Sequence, residues 1–333
     1  MDILDIIRQY DLAKTNAQRL ALDAEKNVKF ELNGDTCGVF TGRDGKMRWQ
    51  DFENPSRRGD AIELIRILEG CSFKEALRIL DVTMIPNRAS FAVPKQAPGI
   101  REPDEIDRRN VAAVKAEMTR GKHLRNSLAA RGIEIDDLPD DLIQRLGFIT
   151  SCTLISKSKG TPYKVGGIVF DYEDSCKIIR VSVLNGTYSF TPSWGGKNIS
   201  VGPNRLFNPE ALMGCTGPVF ITEGELDALT VISNGYRAVS IPGVMNYRLL
   251  LDKLTADGLK PALIIAVDSD PAGQRCGKNL EDGLRKLGIS CTLMNGYDGC
   301  KDLNEWFMKD PYECVCGMAK AARIALKQMK HNQ

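Results

Sequence analysis

Five acidic residues in the C-terminal third have the types and the spacing for cation chemistry. Glu223 directly follows the apolar run VFIT, and Asp227 comes four residues later. Asp268 and Asp270 directly follow ALIIAV. Asp302 lies in the loop after the run that ends near Met294. Grouped carboxylates repel one another, and a hard divalent cation offsets that repulsion. Mg²⁺, or Mn²⁺ in its place, takes oxygen ligands, keeps several waters and accepts substrate phosphates. Two such ions can activate an attacking oxygen and stabilise a leaving phosphate. A glutamate outside the Asp pair could instead move a proton. Taken singly, each acid has an ordinary reading: Asp270 before Pro271 caps a helix, and Glu223 and Asp302 are exposed acids. Their joint placement, each after a strand, points to one shared pocket.

The elements that must position these acids alternate. The pattern predicts strands at Pro218–Thr222, Arg237–Ile241, Ala262–Val267 and Ser290–Met294. Helices are expected over Leu226–Asn234, Tyr247–Ala256 and Gly273–Leu287, then a loop ending in KDLNEWF. Such alternation implies a largely parallel sheet covered on both faces. In an open sheet of this kind, ligands bind at the carboxyl ends of the strands. All the acidic groups would sit on that edge, with Asp227 near a helix start and able to turn toward it. Asp310-Pro311 reads as a cap and first-turn proline opening a last helix to about Lys330.

Upstream, the 333 residues leave room for about two domains, or three small ones, at ~150 residues each. Residues 1–85 form a first unit. It has β-like runs at Val28–Leu32, Thr36–Phe40 and Met47–Phe52, a helix over Ala61–Glu69, and a second helix from Ser72, with Glu75 completing a capping box, through Leu80. Residues 86–107 read as a linker, with four prolines before position 104. Residues 108–215 form a basic segment. It opens with a helix over 108–131 whose seven basic residues face one acid, either as a solvated face or as a phosphate contact. Gly132 is a helix end, and IDDLPDDLIQRLGF a short second helix. A β-rich stretch follows, with a hairpin of Gly167–Tyr172 and Lys177–Leu184 and a strand at Thr187–Phe190. Residues 216–310 are the alternating α/β domain, and 311–333 the terminal helix.

Composition excludes several classes. Hydrophobic residues at 43%, charged residues at 26% and a net charge of +2 describe a soluble globular chain, not an acidic or basic tail. Nucleic-acid affinity would therefore come from a local basic stripe and weaken steeply with salt. No apolar run approaches the ~18 residues of a membrane span. The start, MDILDIIRQY, has no basic segment before an apolar stretch, so no secretory signal and a cytoplasmic location are expected. Ten scattered cysteines without CxxC read as reduced and buried. Two histidines and no GxSxG leave His-dependent hydrolysis without its parts. There is no GxxxxGKS/T and so no P-loop motor.

The stretches VFITEGELDALTVISNGYRAVSIPG, LIIAVDSDPAGQRCGKNL and KDLNEWF, in that order, resemble the toprim domain of bacterial- and phage-type DNA primases. LAARGIEIDDLPDDLIQRLGFI resembles the opening of the primase catalytic core. GIVFDYEDSCKIIRVSVLNG with GGKNISVGPNRLFN is similar to that core's basic β-rich subdomain. The resemblance implies an α/β, multidomain protein that joins ribonucleoside triphosphates into short RNA primers on single-stranded DNA by two-metal chemistry, in a phage, plasmid or other mobile element. It implies that Asp268, Asp270 and Asp302 hold Mg²⁺, that Glu223 completes the metal site or handles protons, and that Asp227 supports a ligand. Arg180 and Lys197 match basic positions that line the nucleic-acid and triphosphate groove. Arg205 and Lys278 are further basic candidates. A replicative helicase would act in trans, with the terminal helix as a candidate docking element.

The first unit resembles the zinc-binding module that precedes primase cores, through MRWQDFENPSRRGDAIELIRILEGCSFKEALRIL. It departs from that module at the ligands: Cys37 is the one cysteine, and Asp51 and Asn54 stand where a later pair is expected. One thiolate does not build a tetrahedral structural site, so the module is expected to fold without zinc. Trp49 is either a core residue or a base-stacking platform. Two other readings keep the fold: a toprim-type metal-dependent nuclease, and a non-catalytic nucleic-acid-binding adaptor. A topoisomerase lacks a module presenting a nucleophilic tyrosine.

Overall fold

The computed structural model describes residues 2–41, 47–54, 57–71, 75–76, 79–80, 101–184, 186–190, 198–214, 217–294 and 296–331. The chain forms two compact units, Met1–Met84 and Ile85–Gln333.

In the first unit, helices α1 (Ile3–Gln9) and α2 (Asn16–Asp23) are each opened by a capping box, Asp2 with Asp5 and Thr15 with Gln18. Strands β1 (Lys29–Leu32), β2 (Asp35–Thr41), β3 (Met47–Asp51) and β4 (Arg58–Gly59) form an antiparallel sheet in that order. Asp60 then caps α3 (Ala61–Glu69) through the amides of Ile62 and Glu63. Of the helix expected from Ser72 through Leu80, residues 75, 76 and 79 are helical and Leu80 donates to the Ala76 carbonyl at 3.0 Å; the rest lies outside the described residues. Trp49 belongs to the core: it is fully buried, meets Phe30 edge-on, and its Nε1 donates to the Asp60 carbonyl at 3.1 Å. Base stacking by Trp49 is thereby corrected, because its ring has no exposed face.

The corner where the resemblance places zinc ligands is closed by a guanidinium. Cys37 and Asp51 are cross-strand partners. Arg57 reaches Asp35 at 2.6 Å and Asp51 at 3.1 Å, and the other Asp51 oxygen accepts the amides of Glu53 and Asn54. Burial, helped by the Asp51 charge, pushes the Cys37 thiol up to about 11, far from the thiolate that zinc requires. This donor set does not fit a tetrahedral zinc; here a cationic side chain links the two strands.

In the second unit, α4 (Glu105–Glu117) and α5 (Lys122–Ala129) replace the single helix expected over 108–131. The break is a pairing event: Met118 turns extended, and Thr119 exchanges backbone hydrogen bonds with Phe148. The segment IDDLPDDLIQRLGF also divides, into a 3₁₀ turn (Ile135–Asp137), the single-turn α6 (Asp140–Ile143) and the start of β5 (Leu146–Ile155). Met118 lies so close over Gly147 that a Cβ there would fall 2.1 Å from its side chain. β5 joins β6 (Pro162–Asp171) and β7 (Cys176–Arg180). A two-stranded ribbon of β8 (Ser182–Leu184) and β9 (Thr187–Ser189) stands apart. β10 (Asn198–Val201) completes an antiparallel sheet of order β10-β7-β6-β5.

The alternating domain follows. It comprises β11 (Val219–Thr222), α7 (Glu225–Ser233), β12 (Arg237–Ser240), α8 (Tyr247–Ala256), β13 (Leu263–Ala266), α9 (Pro271–Lys286), β14 (Cys291–Leu293), α10 (Leu303–Lys309) and α11 (Pro311–His331). All four strands are parallel, in the order β12-β11-β13-β14. β11, β12 and β13 are buried at every residue, as a sheet covered on both faces requires. One expectation fails: KDLNEWF is not loop but the capped start of α10. No helix among the described residues is long and apolar enough to cross a membrane.

Candidate active site

Strand order sets the site. The chain enters the sheet at β11, steps to β12 on one side, then crosses to β13 on the other. The crevice at such a reversal is where an open α/β sheet takes its ligand. Thr222 and Ala266 are register partners on β11 and β13. Glu223 and Asp268 therefore leave the sheet at neighbouring strand ends, across an inter-strand spacing of ~4.8 Å. Asp270 caps α9, its Oδ1 accepting the amides of Ala272 at 3.0 Å and Gly273 at 2.9 Å. Asp302 caps α10, its Oδ1 accepting from the Glu305 amide at 2.8 Å.

Lys301 lies among these acids, its Nζ 3.0 Å from Asp268 Oδ2 and 3.6 Å from Asp270 Oδ2. Its pKa is raised, first by the hydrogen bond to Asp268. Asp270 lies below the usual carboxylate value because the Gly273 amide and Lys301 favour its charged form. Asp268 lies above it, since burial outweighs the ammonium. Glu223 is pushed up to about 7 by burial and by the charges of Asp268 and Asp270, against the pull of Lys301 and Lys177. Its Oε2 is buried and has no hydrogen-bond partner among the described residues.

The Glu223 value has a measurable consequence. In metal-free buffer the folded protein keeps this proton to about pH 7, whereas an ordinary glutamate releases it near 4.5. The folded state binds more protons across that window, so stability falls as pH rises through it and levels off above. Glu223→Gln should flatten this slope in urea melts with chelator between pH 5 and 8. An unchanged slope would place the proton elsewhere.

A cleft opens beside the acids between the two sheets, lined by Arg131, Ile179, Asn198, Gly224, Asp227 and Asp302, among others. Asp227 is buried and accepts the Asn304 amide at 2.9 Å, so it ties α7 to the start of α10. Asn304 also donates to the Arg131 carbonyl at 2.9 Å and to Thr230. The Arg131 guanidinium stacks over Phe190, 4.3 Å from the ring centroid. Glu225 also lines the cleft; Lys177 of β7 reaches it at 2.6 Å, and the Tyr172 hydroxyl donates to the same carboxylate at 2.7 Å.

The basic candidates are dispersed. Arg180 ends β7 opposite Gly167 and is partly buried. Arg205 is drawn into an ion pair with Asp174 and is largely covered by it, which leaves little of its guanidinium for a ligand. Lys278 is exposed on α9, two turns beyond Asp270. Lys197 lies outside the described residues. Sequence reasoning missed Lys177, Glu225, Tyr172, Lys301 and Asn304. Two signals were available: Glu225 repeats the acid of Glu223 two residues on, and Lys301 precedes Asp302.

The donors suit a hard cation: carboxylate oxygens only, one of them buried without a partner. Among the described residues no three His, Cys, Asp or Glu side chains close on one point, and Lys301 occupies the gap between Asp268 and Asp270. Glu223, Asp268 and Asp270 are the residues that would hold a divalent ion, with Asp302 alongside.

Residues 220–307 match the family model described as Toprim-like, so the alternating domain is a toprim-like domain. No curated protein matches the chain. Among solved structures, the chain is similar to the Aquifex aeolicus primase, zinc-binding and RNA polymerase domains. That similarity has 15% identity over 99% of this chain and 90% of that one, with a TM-score of 0.42. It is also similar to the primase fragment of the bacteriophage T7 primase-helicase, at 15% identity over 85% and 92% of the two chains and a TM-score of 0.37. A third similarity is to a chain of the bacteriophage T7 lagging-strand DNA polymerase complex with primase domains bound to an RNA/DNA hybrid and dTTP. It has 18% identity over 59% and 88%, with a TM-score of 0.34.

Proposed function

We propose that this protein is a primase-type nucleotidyltransferase that joins ribonucleoside triphosphates into short RNA primers on single-stranded DNA. The observation that supports it most is the pairing of β11 with β13, which brings Glu223 and Asp268 to one rim of a toprim-like domain beside a cleft. When bound, Mg²⁺ or Mn²⁺ would supply Lewis-acid stabilisation of the phosphoryl group. Asp268 and Asp270 hold that charge, and Asp302 adds to the field. Glu223 either completes the hold on that charge or takes the proton of the attacking hydroxyl through Oε2, which is buried without a partner among the described residues. Arg131 offers a cation to the polyanion at the cleft wall, and Asp227 keeps α10 in place. Arg180, Lys197 and Lys278 are proposed to neutralise template or triphosphate. The setting we infer is the cytoplasmic replication of a phage, plasmid or other mobile element, with a helicase supplied in trans.

The test is incubation with single-stranded DNA, Mg²⁺ or Mn²⁺ and labelled ribonucleotides. New oligoribonucleotides of a few residues are expected. Shortened DNA without nucleotides would replace the reading with a toprim-type nuclease, and retained DNA with neither product would replace it with an adaptor.

A further inference from the structure

We propose that Lys301 is a resident counter-ion, one that holds the Asp268–Asp270 pair together in the metal-free protein and must leave it when a divalent cation enters. The inference rests on the metal reading above and concerns how that site loads. Three observations carry it.

The first is which oxygens Lys301 takes. Asp270 commits Oδ1 to the amides of Ala272 and Gly273, so Oδ2 is the oxygen left for a cation. Lys301 Nζ sits at that Oδ2 and at Oδ2 of Asp268. A divalent ion held by these two carboxylates would compete with the ammonium for them, and at Asp270 for that same Oδ2.

The second is how Lys301 is attached. Its main chain is clamped to the loop that carries the acids. Its amide donates to Glu305 at 2.8 Å, and its carbonyl accepts from Ser269 N at 2.7 Å and Ser269 Oγ at 3.0 Å. The side chain, by contrast, is 58% exposed. The ammonium can therefore swing into water while the backbone stays put, leaving the Asp268 carboxylate, 11% exposed, to the incoming cation. Lys177 is the contrast. Its ion pair with Glu225 is 9% and 1% exposed, so it cannot be exchanged in this way.

The third is charge. Four carboxylates, Glu223, Asp268, Asp270 and Asp302, stand at this rim, and among the described residues the ammonium in ion-pair contact with them is that of Lys301, with Lys177 acting on Glu223 from farther off. Negative charge therefore stays in excess there. A dication meets that excess better than a single ammonium does. Loading is thus an exchange in which one ammonium leaves and one dication enters, and Lys301 lowers the apparent metal affinity.

Calorimetric titration of the full chain with Mn²⁺, in parallel with thermal melts in chelator, tests this. Exposed pairs bias such an equilibrium by up to roughly fivefold. Lys301→Met should therefore bind Mn²⁺ about three- to fivefold more tightly than the parent. It should also melt lower in chelator and regain the difference with saturating Mn²⁺. Lys301→Arg, which keeps the charge, should stay as weak as the parent. Equal or weaker binding by K301M, with the parent binding normally, overturns the exchange and leaves the metal reading standing. No Mn²⁺ binding by either the parent or K301M overturns both.

Discussion

An Asp268→Asn/Asp270→Asn protein is expected to lose metal-dependent primer synthesis by at least about 10³-fold while keeping its fold. Divalent-ion stabilisation of a transferring phosphoryl group amounts to several kcal/mol, and each ~1.4 kcal/mol is a factor of ten in rate. Asparagine is the stringent choice. It caps a helix about as well as aspartate, so α9 keeps its start at position 270. Two of the four negative charges at the rim disappear, and Glu223 should return toward its ordinary value because Asp268 and Asp270 help to raise it. In chelator the double variant should therefore melt no lower than the parent. Initial rates on a single-stranded template, set beside a thermal melt, separate the two effects. Synthesis within tenfold of the parent at an unchanged melting temperature would remove these carboxylates from the reaction.

What could be read from the chain and what could not divide along physical lines. Glu223 and Asp268 were legible because each follows an apolar run, and buried parallel strands announce themselves by composition. Their nearness follows once β11 and β13 are neighbours. The helix at Leu303–Lys309 was not legible as a helix, since seven residues after two glycine-bearing turns show too little periodicity; its cap, Asp302, had been read only for its charge. β5 was hidden for a related reason. Its first residues continue an acid-led segment that suits a helix, and the pairing of Thr119 with Phe148 is a tertiary contact. Arg205 shows the limit for basic residues: its partner Asp174 lies 31 residues away and claims the guanidinium. Lys177 was the least legible. A lysine in a strand reads as solvent-facing, yet here the strand is buried from Cys176 to Ile179 and the partner is Glu225, on a different sheet's helix.

That same pair supports the second large expected effect, the destabilisation caused by Lys177→Met. Glu225 is 1% exposed, and its carboxylate is met by the Lys177 ammonium at 2.6 Å and by the Tyr172 hydroxyl at 2.7 Å. Burial and the adjacent Glu225 charge raise the Tyr172 phenol well above its ordinary value, so it remains a donor. Removing the ammonium leaves a buried carboxylate with one neutral partner, and breaking a buried pair from one side costs about 3–5 kcal/mol. Replacing both charges, as Lys177→Met/Glu225→Met, should recover most of that loss, because the desolvation penalty vanishes with the charges. Urea unfolding of the parent, the single variant and the double variant measures both numbers. A single variant within about 1 kcal/mol of the parent, or a double variant no better than the single, would mean that water already reaches Glu225. The consequence extends to the rim. Lys177 also pulls Glu223 toward its charged form, and Glu225 follows Glu223 by two residues. In metal-free buffer K177M should therefore keep the Glu223 proton to a higher pH than the parent, read as a shift of the stability-against-pH slope in urea melts, which a purely structural tie between the sheets would not produce.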